Sequence, residues 1–333
     1  PKNDEFFNEY VSNYNDRLNY ISNFSGSFGF ALILKNSNYL FVDGRYTLQA
    51  KEQSGKFFKI ITVPKKMPND ILRNKKLNIG FDPRLFTKKT IKIFFGKNNC
   101  KFEPKKINFV DKIWKRKEQK NIKKFYNLPR NCVGVNHKSK IKKVVKNLRK
   151  KGADVQFITA SENIAWLFNI RGYDADYSPL PYSYVLVDKY ENVSFFCDLA
   201  KIPSVLKKNF NEIQFIEISY TSKILSKINK RKFIIDENTC SFYFENIIMK
   251  KNKIINYHDP IYLLKAIKDK IEIRNIEAAH ISDGIALTKY LFWVKKNVNK
   301  RKITEMSATK KLFQLRKKNK KFKFLSFPTI SGS

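Results

Sequence analysis

Hydrophobic and polar positions fall into three successive patterns along the 333 residues. In the first, short apolar runs at 30–34 and 39–42 flank the polar stretch Lys35-Asn36-Ser37-Asn38, which predicts two strands around a turn. A helix is predicted over 46–53, a strand over 57–63, a short helix over 68–74 and a strand over 77–81 that ends in the turn Gly80-Phe81-Asp82-Pro83. From Asn108 the spacing loosens. The lysine-rich stretch 115–124 predicts an interdomain linker, because a segment with so few apolar side chains has little to bury.

The second pattern repeats this grammar. Ile141, Val144, Val145 and Leu148 recur at helical spacing and predict a helix over 138–151, followed by a strand over 155–159. Thr159-Ala160-Ser161-Glu162 fits a capping box ahead of Ile164, Ala165, Leu167 and Phe168. Strands at 184–187, 193–197 and 233–236, with a helix at 222–228 between the last two, complete a second mixed α/β domain. The third pattern starts near Pro260. Residues 261–294 contain no proline, and Ile273, Ile276, Ala279, Leu287, Leu291 and Val294 predict one long helix or two joined near Gly284. A further helix is predicted over 304–315, with Thr304, Glu305 and Ser307 at its start, and a strand over 324–330. A chain that stops at Ser331-Gly332-Ser333 just after a strand opens is expected to be truncated there.

Composition adds a question about charge. Lys and Arg number 67 against 29 Asp and Glu, a formal net charge of +38, which invites a nucleic-acid or anionic-membrane reading. Two features weaken it. The lysines run from Lys35 through Lys142, Lys207 and Lys250 to Lys323 without gathering in one segment, and Lys, Asn, Ile, Phe and Tyr are abundant together, as expected when a genome favours A and T in its codons. The densest run, 310–323, is the place such a site would lie. With 42% hydrophobic residues the chain has ample material for cores. No stretch approaches the length of a membrane-spanning apolar run, and Pro1 to Glu5 lacks the order of a secretory signal, so the expectation is a soluble protein. Cys100, Cys132, Cys197 and Cys240 form no CxxC pair and are expected as free thiols in a reducing cytoplasm.

Candidate chemistry is sparse. His137, His258 and His280 stand far apart, outside any ligand spacing; His280 and Asp283 share a helix face, which more simply serves a hydrogen bond than a metal. Ser25-Gly26-Ser27-Phe28-Gly29 leads into a strand rather than a helix, so it reads as a tight turn and not as a phosphate loop. No nucleophile elbow or Walker loop is present. The strongest local feature is Val42-Asp43-Gly44-Arg45-Tyr46, a strand end, a turn suited to a glycine at positive φ, and a helix start. Arg45 there either grips a carboxylate or carbonyl of a substrate in a forked geometry or pairs with an adjacent acid such as Asp43.

Several of these stretches together resemble the aminopeptidase P (Xaa-Pro aminopeptidase) family. In order, they are Pro1 with Asp4, Glu9 and Tyr10; Ile21-Ser22-Asn23-Phe24-Ser25-Gly26-Ser27; Val42-Asp43-Gly44-Arg45-Tyr46 with Leu48, Gln49, Ala50 and Gln53; and Ile79-Gly80-Phe81-Asp82-Pro83. Later come Phe109-Val110-Asp111-Lys112-Ile113-Trp114, Ile164-Ala165-Trp166-Leu167-Phe168-Asn169-Ile170-Arg171-Gly172, Lys265-Ala266-Ile267-Lys268, Ala279-His280-Ile281-Ser282-Asp283, Thr304-Glu305, and Leu325-Ser326-Phe327-Pro328-Thr329-Ile330-Ser331.

The resemblance implies an α/β fold class: two creatinase-type N-terminal mixed α/β domains, at 1–125 and 126–258, followed at 259–333 by the start of an α+β pita-bread catalytic domain. The implied parent is a cytoplasmic, homodimeric metallopeptidase that hydrolyses the Xaa-Pro bond at peptide amino termini with two Mn(II). The family's five ligands, and its substrate-binding histidines, correspond to positions beyond Ser333, so no catalytic or metal residue is expected in this chain and this piece alone is expected to be inactive. One substrate-contacting residue maps here, the arginine of the Asp-Gly-Arg turn, Arg45. An upstream helix and strand are also expected to be missing. Departures from the family pattern are Phe6 in place of a frequent histidine, Lys115-Arg116-Lys117 in place of a proline-containing turn, and Ser178-Pro179-Leu180 in place of an Asn-Pro-Val type segment. The alternatives are a non-catalytic scaffold of this architecture that binds protein partners, or a basic nucleic-acid-binding protein.

Overall fold

The structure, a computed structural model, describes residues 1–96, 98–117, 121–300 and 302–332. Residues 118–120 of the expected linker and the terminal Ser333 therefore lie outside the described residues. Two compact units emerge, one formed by Pro1–Asn127 with His137–Leu264, the other by Leu128–Asn136 with Lys265 onward.

The first unit opens with α1 (Arg17–Ser22), whose cap Asp16 accepts a hydrogen bond from the Asn19 amide and whose end is turned by Asn23 at φ 59°. The predicted hairpin is β1 (Phe30–Leu34) and β2 (Ser37–Asp43); Leu34 faces Ser37, so the turn is only Lys35-Asn36. Next come α2 (Thr47–Ser54) and β3 (Lys59–Val63), which joins β2 in parallel to give the sheet β1-β2-β3. The chain continues through α3 (Pro68–Leu72), β4 (Asn78–Phe81), α4 (Lys88–Phe95), β5 (Lys101–Pro104) and α5 (Phe109–Ile113), with β4 and β5 forming a parallel pair. Alternation along β2 divides the core. Leu40 and Val42 pack with Leu18, Phe24, Ala50 and Phe58, whereas Phe41 points the other way onto Phe30, Leu32 and Leu72.

The same unit holds a six-stranded sheet. Its elements are β6 (Tyr126–Asn127), α6 (His137–Lys150), β7 (Val155–Ile158), α7 (Ser161–Phe168), β8 (Ile170–Arg171), β9 (Ser183–Asp188), β10 (Val193–Cys197), α8 (Ser204–Asn209), β11 (Ile213–Glu217), α9 (Thr221–Lys227), β12 (Lys232–Ile235), α10 (Phe242–Met249) and β13 (Lys253–Asn256). Strand order is β11-β10-β9-β7-β12-β13, parallel throughout except for β9, while β6 and β8 form a small separate pair. Both faces are covered. Val185 and Val187 of β9 pack with Val144, Val145, Ile164 and Leu167 from α6 and α7, and the intervening Tyr184 and Leu186 pack with Leu225, Phe244 and Ile248 from α9 and α10. Full burial of each such side chain is worth about 1.5–3 kcal/mol, which makes this sheet the main stabilising element of the unit.

Phe6 locks the amino-terminal segment onto this sheet, stacking on Tyr182 at 4.2 Å and Tyr184 at 5.0 Å, while the Tyr184 hydroxyl donates to the Glu5 carbonyl at 2.9 Å. The departure from histidine at Phe6 thus carries an aromatic stack. The predicted capping box at 159–162 is not formed: Ala160 is the cap of α7, and the Thr159 hydroxyl donates instead to Thr239 Oγ1 at 2.9 Å, tying the end of β7 to the segment after β12.

The chain leaves the first unit within α11 (Ile261–Ala266). The run 261–294, expected as one helix or two joined near Gly284, instead breaks at 267–269, where Asp269 and Glu272 cap each other reciprocally; in the second unit α12 (Lys270–Asn297) then runs uninterrupted through Gly284. Gly134 lies so close to this cap that a Cβ would sit 2.4 Å from Asp269 Oδ2. α13 (Glu305–Lys317), capped by Thr304 and Ser307, packs on α12 and is joined to it by Arg316 and Asp283 at 2.6 Å. The strand expected at 324–330 is not formed; among the described residues no strand lies beside that segment to complete a ladder of backbone hydrogen bonds.

Candidate functional site

The turn after β2 is built by Asp43. Its carboxylate accepts from the Arg45 amide at 2.9 Å, which starts a single 3-10 turn over Gly44–Tyr46 that runs into α2. The same carboxylate accepts from the Arg45 guanidinium, at 2.7 Å from one terminal nitrogen and 3.2 Å from Nε. The hydrogen-bonded guanidinium in turn holds the Asp43 carboxyl below the usual carboxylate range. Sequence left open whether Arg45 pairs with Asp43; it does. The pairing leaves the second terminal nitrogen without a partner among the described residues, and the side chain is 73% exposed, so the arginine remains able to donate outward. Gly44 does not have the positive φ that the Asp-Gly pair predicts, and a Cβ there would meet nothing within 4 Å. The turn comes from the aspartate rather than from glycine's freedom.

Polar contacts surround the arginine. The guanidinium lies 5.2 Å from the centre of the Tyr46 ring, and the Tyr46 hydroxyl shares a 2.7 Å hydrogen bond with Ser27 Oγ. Ser25 is gripped from α2: its amide donates to Gln53 Oε1 at 3.0 Å, and Gln49 Nε2 donates to its hydroxyl at 2.9 Å. The loop 25–29 leads into β1, as read from sequence, and Ser25 clamps it to α2, which the sequence did not reveal. Gly26 is essential to its path, since a Cβ would fall 2.3 Å from Phe24 Cζ. Glu9 adds negative potential at Arg45, and Tyr10 packs on Tyr177 at 5.0 Å; burial first, then the Glu9 carboxylate, raises the Tyr10 hydroxyl above its ordinary range. Tyr46, Tyr10 and Tyr177 are contributions that sequence reasoning did not assign. Tyr46 was visible beside Arg45, but nothing local connects Tyr10 with Tyr177.

The arrangement can bind an anionic or carbonyl-bearing group, with the Asp43 carboxylate already engaged by the arginine. The remaining candidates are dispersed. His137 meets Glu212 at 2.5 Å, His258 meets Asp236 at 3.1 Å, and His280 faces the Ile276 carbonyl at 2.8 Å while Asp283 is taken by Arg316. All four cysteines are free thiols, and burial pushes those of Cys197 and Cys240 well up. Among the described residues no group of three or more His, Cys, Asp or Glu is placed to hold a metal. No helix is long and apolar enough to cross a membrane among them.

Comparison with known proteins bears on this geometry. Two family profiles, both described as the creatinase/prolidase N-terminal domain, match residues 7–104 and 115–272. An Xaa-Pro aminopeptidase of Drosophila melanogaster is 31% identical over 349 residues, an alignment that covers 100% of this chain and 57% of the relative. Xaa-Pro aminopeptidase 1 of Dictyostelium discoideum is also 31% identical, over 100% of this chain and 56% of the relative. Among solved structures, that of X-prolyl aminopeptidase from Caenorhabditis elegans, described as a cytosolic enzyme with a di-nuclear active site, superposes with a TM-score of 0.89 at 25% identity, covering 100% of this chain and 57% of that one. The chain thus spans a little over half the length of the relatives it matches.

Proposed function

Because the chain belongs to the Xaa-Pro aminopeptidase family, we propose that it is the amino-terminal part of a metallopeptidase that releases the first residue from peptides whose second residue is proline. The observation that supports this most is the match of the whole chain, from end to end, to Xaa-Pro aminopeptidases. The organisation at 1–125, 126–258 and 259–333 belongs to the same reading, as do a cytoplasmic location, a homodimer, peptide substrates and two Mn(II).

Arg45 is proposed as the substrate-binding residue of this chain. Its free terminal nitrogen and exposed position suit a peptide carbonyl or carboxylate, and Asp43 fixes the direction in which it donates. The described residues do not fit a dinuclear metal centre, because they bring together no adequate ligand set. The roles assigned to this chain are therefore confined to binding and positioning. Release of the amino-terminal residue from an Xaa-Pro peptide by the full gene product, supplied with Mn(II), tests the proposal; a full gene product that leaves such peptides intact would refute it.

A further inference from the structure

Away from the Arg45 turn, the first unit carries a cleft of about 550 Å³, a size typical of small-molecule sites. Arg84 lines it just after β4, Lys105 and Lys106 just after β5, Ser219 and Ser222 after β11, and Tyr243 in the first turn of α10 after β12. β4 and β5 are parallel neighbours, so their carboxyl ends lie side by side; β11 and β12 run in the common direction of the six-stranded sheet. Every wall thus departs from the carboxyl end of a strand, the edge where diverging loops of α/β sheets leave room for a ligand.

The walls are fastened to one another. The Phe242 amide donates to the Phe86 carbonyl at 2.7 Å, the Tyr243 amide donates to the Pro83 carbonyl at 2.9 Å, and Lys88 pairs with the buried Glu245 at 3.1 Å. A cleft held in this way is formed before any ligand arrives, which lowers the entropy lost on binding.

Its polarity is one-sided. Three cations line the cleft and no carboxylate does. Arg84 is held from behind by the buried Asp82, through bonds of 3.0 and 2.9 Å, and Lys105 by Glu103 at 2.9 Å. The Lys106 ammonium and the hydroxyls of Ser219, Ser222 and Tyr243 have no partner among the described residues. The cationic and hydroxyl-bearing residues that line this one volume match a group with several charged oxygens better than a single carboxylate, which presents only two. The tyrosine ring and the adjoining Phe244 add an apolar surface.

We propose that this cleft binds a phosphorylated metabolite of nucleotide size, its phosphates among Arg84, Lys105, Lys106 and the two serines and its apolar part against Tyr243. The proposal is independent of the Arg45 reading, because no residue of that turn lines the cleft. Titration of the 333-residue chain with ATP, and separately with inorganic phosphate, by calorimetry in about 0.15 M salt tests it. Saturable binding of ATP, tighter than that of phosphate, is expected. Lys106→Glu and Ser222→Glu should each weaken ATP binding by about tenfold with unchanged melting temperature. Charge reversal at Lys207 or Lys250, exposed lysines outside the cleft, should change it by less than about twofold. Absence of saturable binding, or an equal loss in all four variants, would overturn the site and leave only diffuse attraction to a basic chain.

Discussion

Asp43 holds Arg45 twice, accepting from its amide at 2.9 Å and from its guanidinium at 2.7 Å, so the last residue of β2 sets both the turn and the direction of the arginine. Solvent screens such an exposed pair, and holding two mobile side chains offsets much of the attraction. Its consequence is orientation more than stability.

Asp43→Asn should therefore leave the melting temperature within about 2 °C of the parent while raising the peptide KM of the full gene product by about tenfold. Thermal unfolding and steady-state kinetics measure the two effects. A large loss of stability with an unchanged KM would reduce Asp43 to a structural role.

The two glycines of this region should respond in opposite ways. Gly44→Ala meets open space at an ordinary φ, and should stabilise the chain by about 0.5 kcal/mol by restricting the unfolded state. Gly26→Ala drives a methyl group into the buried Phe24 ring and should destabilise it by about 1–3 kcal/mol. Urea denaturation of both variants gives the comparison.

Phe41 sits at the centre of the β1-β2-β3 sheet, fully buried and stacked on Phe30 at 4.8 Å. Phe41→Ala should cost about 3–5 kcal/mol, whereas Ile33→Ala, at an exposed position of β1, should stay within about 0.5 kcal/mol. Similar midpoints for the two variants would contradict the assigned faces of the sheet.

Stability should also depend on Asp4. Burial, the dominant cause, raises its carboxyl to about 6 from an ordinary 3.8, against the opposing hydrogen bond that the Phe6 amide donates at 3.0 Å. Between those values the folded chain binds more protons than the unfolded one. The Asp4 contribution is thus fully present below about pH 4 and is lost as pH rises through about 6. Asp4→Asn, which removes this dependence, should gain stability relative to the parent on going from pH 4 to pH 7, by on the order of 2–3 kcal/mol. Denaturant melts at the two pH values measure the difference, and an equal change in parent and variant would contradict it.

Where burial is local and periodic, the fold was legible. The β1-β2 hairpin and α6 follow directly from apolar spacing, as does α12, whose continuity through Gly284 remained open because glycine weakens a helix without ending it. Elements defined by distant partners were not legible. β13, and β11 apart from the buried Ile213, mix exposed and half-buried positions at the two edges of the sheet, and Phe324, Leu325 and Phe327 have strand-like composition with no strand beside them. Thr159 matched a capping pattern but bonds to Thr239, eighty residues away. The candidate site divides in the same way. Asp43, Arg45 and the Ser25 turn stand out locally, but the clamp from Gln49 and Gln53 needs the fold, and the Tyr10–Tyr177 contact needs two segments far apart in sequence to meet.

The central claim is tested most directly by kcat/KM of the full gene product on an Xaa-Pro peptide, compared between the parent and Arg45→Ala. The account predicts measurable hydrolysis by the parent, none of the matching Xaa-Ala peptide, and a fall of at least about tenfold in the variant at unchanged melting temperature. Equal hydrolysis of both peptides, or an Arg45→Ala enzyme as efficient as the parent, would contradict it.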